Sequence, residues 1–199
     1  MKILVVGATG TIGKAVADRL AEQHEVVRAG FNSGDVTVNL EDITSIKAMF
    51  KQVGELDAVV STAGNAAFAA LAEHSDDSYQ LALNNKLMGQ INLFRVGQDY
   101  IRQGGSVTLT SGILSRHPMP GSASISMVNG ALESFAKAAS LELEQLRINV
   151  VAPVFVKETM VMMGMDPTPG ISAADTAIAY EAAVTGDMSG LTLDVPDYL

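Results

Sequence analysis

An open, doubly wound α/β sheet is the fold class this sequence predicts, and three observations carry that prediction. Residues 3–6 form a short apolar run rich in β-branched side chains, long enough for a buried strand. Gly7-Ala8-Thr9-Gly10-Thr11-Ile12-Gly13 follows at once, and then Ala15, Val16 and Leu20 recur at helical spacing. Farther along, strand-length apolar runs alternate with amphipathic stretches, the pattern of a parallel sheet covered on both faces.

The opening unit of strand, glycine loop and helix is the context a dinucleotide-binding turn needs. Gly7 permits the tight turn, Gly10 lets backbone approach a pyrophosphate, and Gly13 allows the helix to pack close to the strand. The free N–H groups and dipole of the helix then face the anion. Glycine spacing alone is weak evidence; its position between a strand and a helix favours nucleotide binding over a purely structural turn.

The remaining elements follow in order. Residues 25–29 read as a second strand and 36–39 as a third, separated by only Gly30-Phe31-Asn32-Ser33-Gly34-Asp35, too short for an ordinary helical crossover. Residues 43–53 are amphipathic, and 56–62 form a fourth strand broken by Ala63-Gly64-Asn65. Helical periodicity runs through 79–101, a fifth strand covers 106–110, and 115–124 is a loop carrying Pro118, Pro120 and Gly121. A long Ala-rich helix spans 128–146, a sixth strand covers 148–151 and ends before Pro153, and 160–170 is a Met-, Pro- and Gly-rich flap. A last helix at 173–184 and a short edge strand at 192–195 complete a mostly parallel, Rossmann-type sheet of about seven strands. No internal repeat or linker divides the chain, so residues 1–199 are expected to form a single domain.

Bulk composition narrows the function. The chain has 199 residues, 48% hydrophobic and 18% charged, which suits a globular protein with a substantial core. A net charge of −9 disfavours nonspecific nucleic-acid binding. The absence of cysteine excludes disulfides, thiolate metal sites and a cysteine nucleophile, and Asp and Glu show no metal-ligand spacing. No apolar run approaches the about 18 residues of a membrane span, and no signal-peptide pattern opens the chain, so a cytoplasmic location is expected.

Further landmarks resemble the short-chain dehydrogenase/reductase superfamily over residues 1–160. The glycine turn matches at Gly7, Gly10 and Gly13, in the spacing of atypical or extended members. Asn39-Leu40 resembles the family's adenine-contacting Asp-Val pair, and Ser61-Thr62-Ala63-Gly64 its Asn-Asn-Ala-Gly. Thr110-Ser111 resembles the fifth-strand Ser-Ser, and Arg147-Ile148-Asn149-Val150-Val151-Ala152-Pro153 is close to the family's sixth strand and following proline. The resemblance implies hydride transfer between a nicotinamide and a carbonyl or alcohol, and cofactor contacts from Gly7, Thr9, Gly10, Thr11, Ile12, Gly13, Asn39, Leu40, Ser61, Thr62, Ala63, Pro153 and Val156. The family's Pro-Gly becomes Pro153-Val154 here, where a side chain would crowd the nicotinamide, and its Thr falls one residue late at Thr159.

The family's proton chemistry uses a Tyr, a Lys four residues later, a Ser that orients the substrate oxygen, and an Asn on the fourth helix. Ser111 fits the serine position. Counting back from Phe135-Ala136-Lys137 puts Ile125 at the Tyr position and Asn129 at the Lys position, and no tyrosine lies between Tyr100 and Tyr180. Lys86-Leu87-Met88-Gly89 fits the family's Asn-Leu-x-Gly, so an amine stands beside Ser111 in place of an amide. Lys86 either takes over an ionic or proton-transfer role or is an ordinary surface lysine, and Asn84 or Asn85 fills the amide position if the register slips. His117, in the loop after the fifth strand, is a candidate general acid with simple solvation as its alternative. Ser122, Ser124 and Ser126 either donate to a substrate or cap the long helix.

The end of the second strand carries no Asp or Glu to repel a 2′-phosphate, which favours NADP over NAD. Asn32 and Ser33 can hydrogen-bond that phosphate, although Phe31 stands near where NADP-preferring relatives often carry an Arg. The expected function is an NADP-dependent oxidoreductase with a rearranged site, acting on an unidentified small molecule. The alternative is a non-catalytic NADP-binding sensor. Homodimer or homotetramer formation through the fourth and fifth helices is what the resemblance implies.

Overall fold

The computed structural model describes residues 1–199. Seven parallel strands form one sheet in the order β3-β2-β1-β4-β5-β6-β7: β1 (Lys2–Val6), β2 (Glu25–Gly30), β3 (Val36–Thr37), β4 (Leu56–Ser61), β5 (Ile101–Thr110), β6 (Arg147–Ala152) and β7 (Thr192–Asp194). The helices are α1 (Thr11–Ala21), α2 (Ile43–Val53), α3 (Asp76–Leu81), α4 (Gly89–Gly97), α5 (Ala123–Ser140), α6 (Lys157–Met162) and α7 (Ala173–Thr185). A doubly wound Rossmann-type sheet is thus what the chain adopts.

Alternation within the strands builds two cores. Leu4 and Val6 of β1 enter one apolar layer with Ile46, Phe50, Leu93 and Leu132 from α2, α4 and α5. Ile3 and Val5 enter the other, with Val16 and Leu20 of α1 and Tyr180 and Ala183 of α7. The period of two in a strand sends successive side chains to opposite faces, so both faces of β1 are apolar.

The β2–β3 connection is as short as the sequence indicates, and the pairing is nevertheless parallel, with Ala29 opposite Val36. The chain doubles back beside β2 before running forward again. Asp35 donates its backbone N–H to the Arg28 carbonyl and accepts the Arg28 N–H on its carboxylate at 2.8 Å. Gly34 makes the reversal at φ +122°, and a side chain there would meet the Arg28 carbonyl. Only two residues are paired as β3; Val38 still donates to the Gly30 carbonyl at 2.9 Å, and Val38 and Leu40 are buried in the core that α2 and α4 cover.

Other boundaries differ from the sequence reading for identifiable reasons. The periodicity of 79–101 resolves into α3, a π-helical stretch (Ala82–Met88), α4 and a 3₁₀ turn (Gln98–Tyr100), with Ile101 already in β5. The long helix starts at Ala123 and ends at Ser140; Leu143 and Leu146, which prolong its apolar spacing, pack on the core from a loop, while Leu141 is exposed. The first part of the flap is helical, as α6. No helix is long and apolar enough to cross a membrane.

Candidate active site

Three strand ends meet at the carboxyl edge of the sheet, where open α/β folds bind ligands. After β1, Gly7 turns at φ +86°, and a Cβ there would meet the Ala63 nitrogen at 2.8 Å. A Cβ on Gly13 would lie 2.0 Å from the Gly7 carbonyl, so α1 rests directly on the loop. Gly10 differs: its nearest obstacle is the Gly7 carbonyl at 3.4 Å, so the protein's own packing does not demand a glycine there. Gly10 is also the N-cap of α1, and no side chain caps the first turn. Open space over Gly10 and uncapped N–H groups fit a phosphate held at the helix start.

A groove of about 570 Å³ runs from this loop across the sheet edge. Of the residues the resemblance assigns to the cofactor, Gly7, Thr9, Gly10, Asn39, Leu40, Thr62 and Ala63 line it, together with Gly30, Phe31 and Glu41, which were not among them. Thr11 and Ile12 form the first turn of α1, and Ile12 also packs on the core below. Asn32 and Ser33 are exposed just beyond Phe31. Three other residues stand away from the groove. Ser61 is fully buried within β4 and its hydroxyl has no partner; Val156 is buried and bridges to Ile171; Pro153 is buried beyond β6 and accepts the Ile113 N–H. For Ser61 the reason is strand alternation: its neighbour Thr62 is the residue that faces the loop, donating its hydroxyl to the Val6 carbonyl at 3.0 Å.

Lys86 is 6% exposed, which removes the surface-lysine alternative. The π-helical stretch turns Ala82 and Lys86 inward, in line with Gln90 at the start of α4, and such i→i+5 turns occur frequently at functional sites. Gly64 presses on the Lys86 stem, since a Cβ there would meet Lys86 Cγ at 2.8 Å. The ammonium donates to the carbonyls of Thr110 and Ser111, each at 3.4 Å. Burial lowers the Lys86 pKa to about 8, because the apolar surroundings disfavour its charged form. Asn85 donates to Glu41 at 2.7 Å and accepts from the Asn65 N–H, while Asn84 is exposed and bonded to Gln80, so neither takes the place of Lys86.

Gln90 explains how the helix is registered on the sheet. Fully buried, it accepts the Thr110 N–H at 2.8 Å and donates to the Thr110 carbonyl at 2.9 Å, where the β4 ladder has already ended at Val60 and Thr108. Thr110 is fixed from its other side too: its hydroxyl donates to the Ser61 carbonyl at 2.5 Å and meets the Tyr180 hydroxyl at 2.7 Å. Burial pushes the Tyr180 phenol upward, so it serves as a structural hydrogen-bonding group.

Ser111 is held at both ends. Its carbonyl takes Lys86, and its hydroxyl donates to Glu133 of α5 at 2.9 Å. Glu133, 8% exposed, also accepts from the Ser115 hydroxyl at 2.6 Å and lies 3.5 Å from the Arg116 guanidinium. Arg116 in turn forks onto Asp194 at the end of β7, and that carboxylate raises its pKa further. Sequence reasoning missed Gln90 and Glu133. Neither belongs to a motif, although a carboxylate and an amide on otherwise apolar helix faces are the kind of buried polar residue that needs a partner.

The remaining candidates separate. His117 is exposed on the loop, and its ring makes no hydrogen bond. Ser122 holds the N-cap position of α5 but does not cap it; its hydroxyl turns back to Met119. Ser124 donates to the Ala67 carbonyl, and Ser126 pairs with Ser122, so these serines tie two loops together. Asn129 is buried beside Gly112, with its amide nitrogen 3.4 Å from the Gly112 carbonyl and its Oδ1 unpaired.

This arrangement has relatives. A model of the family described as enoyl-(acyl carrier protein) reductase matches residues 3–187. The crystal structure of the protein lin1944 from Listeria innocua is 42% identical, covers 98% of this chain and 99% of its own, and superposes with a TM-score of 0.93. A small-chain dehydrogenase in complex with NADPH is 26% identical over 98% of this chain and 95% of its own, with a TM-score of 0.86. A 3-oxoacyl-[acyl-carrier-protein] reductase of Staphylococcus aureus is 26% identical over 184 residues, 79% of this chain and 75% of that protein. The chain belongs to the short-chain dehydrogenase/reductase superfamily, a family of oxidoreductases that bind NAD(P).

Proposed function

We propose that this protein is an NADP-dependent reductase of a small carbonyl compound, or dehydrogenase of the matching alcohol, in which Lys86 and Ser111 do the work usually given to a Tyr and Lys pair. The observation that carries the reading is the buried Lys86 ammonium bonded to the Ser111 carbonyl, with a pKa brought near working pH. The glycine loop at Gly7 and Gly10 and the groove beside Thr62 and Ala63 would hold a nicotinamide dinucleotide, which would supply hydride to a carbonyl carbon or accept it from an alcohol carbon. Lys86 gives the substrate oxygen its proton during reduction and removes it during oxidation. The Ser111 hydroxyl proton is committed to Glu133 and is not available to a substrate carbonyl, so Lys86 is the donor; toward an alcohol substrate the Ser111 oxygen can accept. Glu133 is a positioning residue, holding Ser111 and the 113–115 turn in one geometry.

NADP is the preferred cofactor in this reading because no carboxylate ends β2, and the NADPH complex of a related dehydrogenase supports it. His117 is assigned no proton-transfer role. Homo-oligomerisation through α4 and α5 is part of the proposal; Gly130 of α5 has open space around it, whereas Gly89 and Gly97 of α4 pack internally on Leu40 and Phe50. A second reading, a non-catalytic NADP sensor, draws on Ile125 and Asn129 at the usual Tyr and Lys positions. Titration of NADP(H) and NAD(H), followed by turnover of a carbonyl panel by wild type and Lys86→Ala, separates them. Turnover that vanishes in Lys86→Ala supports the enzyme with this site; tight binding without turnover supports the sensor.

A further inference from the structure

Arg116 joins three segments that are distant in sequence. Its guanidinium forks onto the Asp194 carboxylate, with Nη1 donating at 2.6 Å, and its Nε lies 3.5 Å from Glu133. Asp194 ends the edge strand β7, Glu133 sits in the middle of α5, and Arg116 itself belongs to the turn that follows Ser111. Most exposed ion pairs contribute little, because both partners swing freely into water. Here the fork fixes the plane of the guanidinium, and one of the two carboxylates it meets is buried. Asp197 adds negative charge near the guanidinium without bonding to it.

The two ends of this turn are anchored differently. Ser111 and Ile113 donate their backbone N–H groups to the Val151 and Pro153 carbonyls, which fixes the start of the turn to the end of β6. Farther on the backbone bonds are internal, from Ser115 to the Gly112 carbonyl and from Arg116 and His117 to the Ile113 carbonyl. Side chains alone hold this far end from outside: buried Leu114, the Ser115 hydroxyl on Glu133, and Arg116 on Asp194. Asp194 is a firm post, paired opposite Ala152 and followed by fully buried Val195. Glu133 also accepts from the Ser111 hydroxyl, so a movement of the turn reaches Ser111 through that carboxylate. We propose that Arg116 is a positioning residue: by tying the turn after Ser111 to Asp194, it makes the edge strand β7 part of the frame that orients Glu133 and Ser111. The proposal rests on the reading of Ser111 given above and adds a support that touches neither substrate nor cofactor.

Hydrogen–deuterium exchange of the whole protein, read by mass spectrometry, tests the tie without any substrate. Arg116→Gln and Asp194→Asn should each speed exchange in residues 113–117 by about ten-fold, as expected when a charge-assisted fork is lost from a locally opening segment. The double variant should go no further, and the β6–β7 amides should stay protected in all three. Arg116→Lys, which keeps the charge and loses the fork, should recover only part of the protection. Two controls should leave the turn as it is: Asp197→Asn, and Arg102→Gln, which breaks a comparable pair with Glu55 and Asp57 at the other end of β5. Initial rates on a carbonyl substrate that wild type turns over should then show kcat lowered a few-fold by Arg116→Gln and Asp194→Asn, with KM for NADP(H) unaltered. Unchanged exchange in these two variants overturns the tie, and so does equal loosening by either control. Faster exchange with unaltered kcat overturns the positioning of Ser111. A wild type that binds NADP(H) and turns over no carbonyl overturns the reading of the site and the positioning role with it, while exchange still judges the tie.

Discussion

The glycine loop and the lysine pocket share one edge of one sheet, joined through residues 62–64, yet they are built in opposite ways. The loop is local. Gly7, Gly10 and Gly13 lie within a single strand–turn–helix unit, and its tolerances are set by backbone atoms a few residues apart. The lysine pocket is assembled from a π-helical turn, the end of β5, the middle of α5 and a loop, with Lys86, Ser111 and Glu133 far apart in sequence. The loop uses backbone shape to make room for an anion. The pocket places side-chain charge where burial is costly and holds it there with hydrogen bonds.

The two regions should therefore break differently. The largest effect is expected from Gly13→Val, whose Cβ has no room against the Gly7 carbonyl. Nucleotide binding should disappear from a titration, and thermal unfolding should report a loss of about 2 kcal/mol from overpacking. In the pocket, Lys86→Met should lower turnover by about a hundred-fold or more, in line with loss of a proton donor. It should do so while stabilising the fold. Burial lowers the lysine pKa from 10.5 to about 8, so at pH 7 the folded protein carries a charge that the unfolded chain solvates better. Denaturant unfolding of Lys86→Met at pH 7 should show a gain of up to about 3 kcal/mol. Stability gained with activity lost would mark the pocket as strained for function; stability lost would show the ammonium to be a net structural asset.

The pH dependence sharpens the same point. Between about pH 8 and 10.5 the unfolded chain holds a proton that folded Lys86 has released, so wild-type stability attributable to this group should rise with pH across that window. Carbonyl reduction, which needs the protonated amine, should fall above about pH 8, and alcohol oxidation should rise there. Both inflections should be absent in Lys86→Met. The smallest effect is expected from Glu133→Gln, which keeps the shape of the side chain but loses its charge toward Arg116. About 1 kcal/mol of stability and a few-fold of turnover should go, read by unfolding and by initial rates; an unchanged rate would remove Glu133 from the positioning of Ser111.

Much of the fold was legible along the chain. β1, β4 and β6 are apolar runs bounded by Gly or Pro, and α2 and α7 fall where periodicity puts them, because burial on both faces leaves a strong local pattern. Boundaries failed where apolar residues pack without belonging to the element they seem to extend, as Leu143 and Leu146 do beyond α5. Of the site, Ser111 and Lys86 were visible as candidates only by resemblance, and the choice between a buried and a surface lysine lay in the π-helical turn. Gln90 and Glu133 were not visible at all.

By itself, then, the sequence determined the parallel sheet, the anion-ready loop and the missing carboxylate at the end of β2, all properties of residues close together in the chain. Only the tertiary structure decided that Lys86 points inward, that Gln90 clamps Thr110 and that Glu133 accepts the hydrogen bond of the Ser111 hydroxyl. The physical reason is that a buried polar group is specified by its partners, and these partners come from segments that meet only once the sheet and its helices have packed.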